Sequence, residues 1–360
     1  MSAAAAASGA QYQAEALTFE SHEEALEAFH AKGWTDGLPV TLPTAERVRA
    51  MIAGSGRKAE EVIGNVPPRW ADATVENIAI NAVMAGCKPE YMPVLITALQ
   101  AACDPAFGLY GIQATTHPCG ILILVTGPEV QRIGLNAGFG CFGPGNRANA
   151  SIGRALRLIL VNVGGALPGK GDMSTQGSPG KYTYCVAENE AATPWEPFRV
   201  SLGFARADST VTVYGAEGPH NVNDHQTLTG HTVLTGVASV MATISHNNAA
   251  CIESGDVLVA LGPEHAQTIA GSGLGRKEIQ RFLYERARNT VGAIRHRAAW
   301  NMPRWPKWIN QADDNTSIPI VGQPEDIHVI VAGGAGKHSC FIPTFGVTKS
   351  VTKRIEPVKS

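Results

Sequence analysis

The sequence predicts an α/β fold made of two similar α/β lobes. Helix-length patterns alternate along the chain with short apolar runs of strand length. Residues 121–129 read ILILVTGPE and residues 256–264 read DVLVALGPE. Each of these stretches leads through a Gly/Ser-rich loop to a helix with the pattern Ile-x-Arg-x-Leu, carried by Ile152, Arg154 and Leu156 in one and by Ile279, Arg281 and Leu283 in the other. We read this as an internal duplication offset by about 130 residues, which predicts a site in the cleft between two lobes.

The elements follow in order. Residues 1–18 are expected to be a disordered tail, ahead of an N-terminal module over 19–200. Ser21-His22-Glu23-Glu24 is a capping box opening a helix that ends near Gly33. A polar turn, Trp34 to Pro39, separates it from a second helix over Thr44 to Gly54. Thr74 to Ala85 reads as a buried helix stopped by Gly86, and Pro89 opens another that runs to about Cys103. Leu109 to Ala114 and Ile121 to Val125 have the length and composition of strands. Asn149 to Val161 is helical, Gly164 to Gly180 is a glycine-rich loop, and Tyr182 to Ala187 is a strand.

A second module is expected over 201–346, and a tail over 347–360. The module opens with a strand, Thr210 to Tyr214, and a polar loop, Gly215 to His225. A small-residue helix over Leu228 to Ser245 precedes a strand at Asp256 to Leu261. A helix over Lys277 to Thr290 and a strand over Ile327 to Ala332 complete it. Trp300, Trp305 and Trp308 lie in a Pro-broken segment suited to packing, a lid or a subunit contact.

Composition narrows the function. With 360 residues, 44% of them hydrophobic and only 17% charged, the chain has ample material for large cores. A net charge of −2 without a basic patch argues against nucleic acid. The seven cysteines form no CxxC pair and read as reduced thiols of a cytoplasmic protein. Neither a signal peptide nor a long apolar span is expected, so no membrane partner is either.

Two glycine motifs fail their structural requirements. Residues 138–143, GFGCFG, match GxGxxG, but no strand is expected before them and Pro144-Gly145 delays the next helix. A nicotinamide or flavin cofactor is therefore not expected. Residues 164–170 fit GxxxxGK, but Gly171 stands where a nucleotide-binding loop needs Ser or Thr for magnesium.

Other segments carry chemistry. Residues 215–225, GAEGPHNVNDH, gather Glu, His, Asn, Asp and His in a loop after a strand. His220, Asp224 and His225 are acid/base candidates there; Asn221 is a ligand contact. His117, His338 and Cys340 stand in other loops at strand ends, with Lys337 as a cation beside the last two. Asn146 and Arg147 open a helix and suit a carboxylate or phosphate, as does Lys170 in the glycine loop. Alternation in the strand ending at Glu188-Asn189-Glu190 puts Glu188 and Glu190 on one side. Together with His220 and His225 they make a candidate set for a divalent transition metal. The alternatives are plain: surface acids, a helix cap at Asp224, and an inert buried Cys340.

Several stretches, GLPVTLPT, YGIQATTHP, FGPGNRANASIGRALRLILVNVGG, GKYTYCVAENE with PWEP, GAEGPHN and GKHSCFIPTFG, resemble a bacterial family found fused to, or encoded beside, small modules with a Cys-Gly-Ser-Cys or selenocysteine-Gly-Ser-Cys motif. The resemblance spans about residues 34–350 and implies no assigned catalytic residues. The chain itself has no such motif, so the resemblance implies a large component whose thiol- or selenol-bearing partner subunit is supplied separately.

The sequence thus favours an enzyme, or the large subunit of one, in a homo- or hetero-oligomer. It would act on a small anionic organic molecule by metal- or acid/base-assisted lyase, hydratase or hydrolase chemistry. The alternatives are a thiol-dependent oxidoreductase subunit, assisted by Cys340 or Cys119, and a non-enzymatic ligand-binding protein.

Overall fold

The computed structural model describes residues 13–250, 255–295 and 306–358. Residues 1–12, Cys251, Trp300 and Trp305 lie outside the described residues.

Helices α1 (His22–Ala31) and α2 (Ala45–Ser55) lead in. Ser21 Oγ accepts the Glu24 N–H at 3.0 Å, while the Glu24 carboxylate reaches back to the Glu20 N–H at 2.7 Å, one residue beyond a standard capping box. Within the expected tail, Gln13 and Ala14 donate their N–H groups to the Glu76 carboxylate at 3.1 and 2.9 Å. A hairpin of β1 (Val62–Val66) and β2 (Ala71–Thr74), unforeseen in the sequence, runs into α3 (Val75–Ala85). Thr74, expected as the first helical residue, is the cap of this helix, and Gly86 closes it at φ +85°, as predicted. Helix α4 (Met92–Ala102) is buried nearly all round. Leu109–Ala114, expected as a strand, is helix α5. Its buried residues Leu109, Ile112 and Gln113 fall at i, i+3 and i+4, but six residues are too few for a period to show in sequence.

The central elements follow in order: β3 (Gly120–Thr126), α6 (Glu129–Arg132), α7 (Arg147–Asn162), β4 (Cys185–Ala187), α8 (Phe198–Ser201) and β5 (Thr210–Ala216). After these come β6 (His220–Asn223), α9 (Gly230–Met241), α10 (Asn247–Ala250), β7 (Val257–Leu261), α11 (Pro263–Gly271) and α12 (Arg276–Arg286). The chain ends with β8 (Arg288–Thr290), α13 (Val291–Ile294), β9 (Ser317–Pro319), β10 (Ile327–Val331), β11 (His338–Ile342) and β12 (Val351–Arg354).

Two four-stranded mixed sheets dominate, ordered β12-β5-β3-β4 and β6-β11-β7-β10. Both run antiparallel, antiparallel, parallel along that order. β3 and β7, the strands of the two matching sequence segments, hold the same place in their sheets. The chain crosses between sheets after β5 and again after β11. The expected boundary near 200 therefore does not separate the sheets. β5, from the expected second module, and β12, from the expected 347–360 tail, both belong to the first sheet.

Strand alternation sets the layers. Ile121, Ile123 and Val125 face a core shared with α3, α4 and α7. Leu122 and Leu124 face the other way, onto Leu258, Ala260, Ile330 and Ile342 of the second sheet. Val257, Val259 and Leu261 turn outward again, to α9, α11 and α12. The order is helices, sheet, sheet, helices, with three apolar layers between them. Each fully buried Leu, Ile or Val stabilises by about 1.5–3 kcal/mol. Gly153 shows how closely α7 lies on the chain entering β4: a Cβ there would clash with Thr183 Oγ1 and the Tyr184 backbone. Among the described residues no single helix is long and apolar enough to cross a membrane.

Candidate acid–base site

The register of β3 against β5 builds the site. Gly120 pairs with Ala216, so the residues before β3 lie beside those after β5. His117 and Glu217, 100 positions apart, meet there with Nε2···Oε1 at 2.8 Å. An ionised carboxylate only accepts, so the imidazole donates from Nε2. Nδ1 of His117 is buried without a partner, and the ring stacks on Phe345 with centroids 5.7 Å apart.

Glu217 is held from several sides. Its carboxylate also accepts the Asn247 N–H at 3.1 Å, and its second oxygen lies 4.0 Å from His220 Nε2. Its own carbonyl accepts the Tyr184 hydroxyl at 2.9 Å. Burial on its own raises the carboxyl pKa. The hydrogen bonds from His117 and Asn247 outweigh it, and Glu217 stays below the usual carboxylate value. His246 closes the group, its ring 6.3 Å from that of His220 and 5.3 Å from Phe341. Burial lowers its pKa against the pull of the Met241 carbonyl and Glu217, so His246 is neutral at pH 7. Ser245, just before it, adopts φ +83°, a left-handed conformation that costs a non-glycine residue about 1–2 kcal/mol.

Exposure grades across the group. The side chains of His117, Glu217 and His220 are 12%, 19% and 34% exposed. His220 is the imidazole that meets solvent most, and Glu217 stands between it and the less exposed His117. The glycine-rich loop lies alongside, where Thr175 donates its N–H to the Thr116 carbonyl at 3.0 Å. In that loop Asp172 is buried between Lys181, at 2.8 Å, and Arg157, at 3.0 Å. Behind Cys119 a cavity of about 20 Å³, lined by Gln113, Gly120 and Lys181, has room for a water molecule.

The other predicted residues are placed elsewhere. His225, His338, Asn221 and Lys337 cluster at the β6–β11 edge, with His225 Nε2 3.2 Å from His338 Nε2. Asp224, an expected catalytic acid, instead accepts the Gln226 and Thr227 N–H groups and caps a turn. Glu188 is buried and accepts the Phe198 N–H, with Arg276 3.8 Å away. Glu190 accepts the Gly127 N–H at 2.6 Å and pairs with Arg199. The two glutamates are not a pair, because β4 ends at Ala187 and alternation does not extend to them. The expected metal set of His220, His225, Glu188 and Glu190 is thus not assembled. Glu190 lies beyond the carboxyl end of β3 and Glu217 beyond its amino end, about 20 Å apart at strand rise.

Asn146, expected to bind substrate, caps α7 through the Asn149 N–H, and Arg147 donates to the Gly86 carbonyl. Lys170 is exposed in its loop. Cys340, a catalytic candidate with an inert buried cysteine as its alternative, packs against the layer between the sheets, and burial pushes its pKa up to about 12; Cys119, in the core of the first sheet and its helices, is raised to about 12 as well. Burial thus disfavours the thiolate form at both positions. Glu217 has no assigned role among the sequence-based expectations, and His246, Asn247 and Phe345 are not among them. Glu217 had one usable signal: it stands directly after a strand and before Gly-Pro. The other three had none. Comparison with known protein families and with curated proteins returns no match for this chain.

Proposed function

We propose that this protein is an enzyme of the lyase, hydratase or hydrolase type that moves a proton on a small organic molecule at His220. Glu217 positions His220 and balances the positive charge that develops when the imidazole takes a proton; His117 holds Glu217 in place. His246, kept neutral, supplies a second imidazole face. A single observation carries this reading: one ionised, largely buried carboxylate stands between two partly buried imidazoles, His117 at 12% and His220 at 34% exposure, the second open to solvent. A purely structural His–Glu pair needs no third, solvent-facing histidine.

The test is a turnover screen with short hydroxylated and unsaturated carboxylates and their esters. Wild type, His220→Gln and Glu217→Gln are assayed in parallel. Both variants are expected to lose about 10²–10⁴-fold in kcat with folding intact. Unchanged turnover in both would overturn the reading.

A further inference from the structure

We propose that His225 and His338 form a binding site for a first-row transition-metal dication, Zn²⁺ or Co²⁺, separate from the acid–base site. Their Nε2 atoms face each other 3.2 Å apart, with ring planes at 79°. Two nitrogens bound to one metal at about 2.0–2.1 Å are separated by about 2.9 Å at a right angle and about 3.4 Å at the tetrahedral angle. The observed spacing lies between these limits.

The tautomer is set for ligation. His338 Nδ1 lies 2.9 Å from Asn221 Oδ1. The amide oxygen accepts only, so Nδ1 carries the proton and the Nε2 lone pair is presented. Asn221 is itself fixed by β6, where it pairs with Cys340 of β11. Without metal, His225 donates its Nε2–H to His338 Nε2. On binding, His225 moves that proton to Nδ1 and offers a second lone pair, so neither imidazole gains or loses charge.

Both rings are exposed to solvent. Among the described residues no third His, Cys, Asp or Glu completes a ligand set, so water or a bound ligand fills the remaining positions. The supporting loop also lines a groove of about 510 Å³ through Gly333, Gly334 and Lys337. Lys337 bonds to the His225 carbonyl at 3.3 Å, away from the ring nitrogens, and its charge favours an anionic ligand on the metal.

The full-length chain, cleared with chelator, is titrated with Zn²⁺ by calorimetry and with Co²⁺ by visible absorption. One stoichiometric site is expected. His225→Ala and His338→Ala should each abolish it, and Asn221→Ala should weaken it about 10–100-fold. Circular dichroism of each variant confirms folding, which two exposed rings should not affect. Absence of a stoichiometric site in wild type, or an unchanged isotherm in the doubly substituted chain, would overturn the proposal.

Discussion

Glu217→Gln separates the structural and catalytic roles of one carboxylate. In the wild type a single oxygen, Oε1, accepts both the His117 Nε2–H and the Asn247 N–H. A glutamine carbonyl oxygen can keep both bonds, so what is lost is the charge. A charge-assisted hydrogen bond contributes about 1.5–3 kcal/mol and a neutral one about 0.5–1.5, so the substitution costs about 1 kcal/mol at pH 7. The pH dependence has a definite sign. The folded-state pKa of Glu217 lies below the ordinary 4.5. Its contribution is therefore fully present above that value and is lost as pH falls through the folded pKa. Urea denaturation at pH 7 and at pH 3–4, read by circular dichroism, should show wild type about 1 kcal/mol more stable at pH 7, with the gap closing in acid. Equal stability at pH 7, or a gap that widens in acid, would refute an ionised Glu217 bound to His117. The expected rate loss of 10²–10⁴-fold far exceeds the stability change, which a merely structural residue would not show.

Two further predictions follow from burial. Burial raises the Glu188 pKa from 4.5 to about 7, against the opposing Phe198 N–H and Arg276. The folded state holds this proton more tightly than the unfolded one, so the contribution of Glu188 to stability is fully present below pH 4.5 and is lost as pH rises through 7, by about 3 kcal/mol at most. In Glu188→Gln this slope should disappear from denaturation curves measured between pH 4.5 and 8; an unchanged slope would show that Glu188 ionises normally. Cys119 and Cys340, with pKa values of about 12, should resist iodoacetamide at pH 8 in the native protein and react on unfolding. Rapid native labelling at either site, located by mass spectrometry, would restore a thiol role.

Local signals in the sequence survived folding well. Thr74 and Gly86 bound α3 because capping needs only neighbouring residues. The apolar stretches around 121–125 and 256–261 became the central strands of the two sheets because continuous aliphatic runs need burial on both faces. What the sequence hid depends on distant pairing. β6 reads His-Asn-Val-Asn and is a strand only because β11 supplies its hydrogen bonds. β12 looks like a charged tail and is ordered by β5. The candidate site follows the same rule. His117 and His220 were legible as chemically suited residues, but their shared partner Glu217 became visible only through the β3–β5 register. Arg147 is expected as an anion contact at a helix start and Glu190 as one of two carboxylates at a strand end, whereas a backbone carbonyl and an arginine respectively take up those charges.

Turnover measured side by side in wild type, His220→Gln and Glu217→Gln bears most directly on the claim that His220, beside Glu217, moves the proton on the substrate. The account predicts that a substrate of the wild type is lost to both variants by at least 10²-fold while their circular dichroism stays native. Equal kcat in all three proteins on that substrate would contradict it.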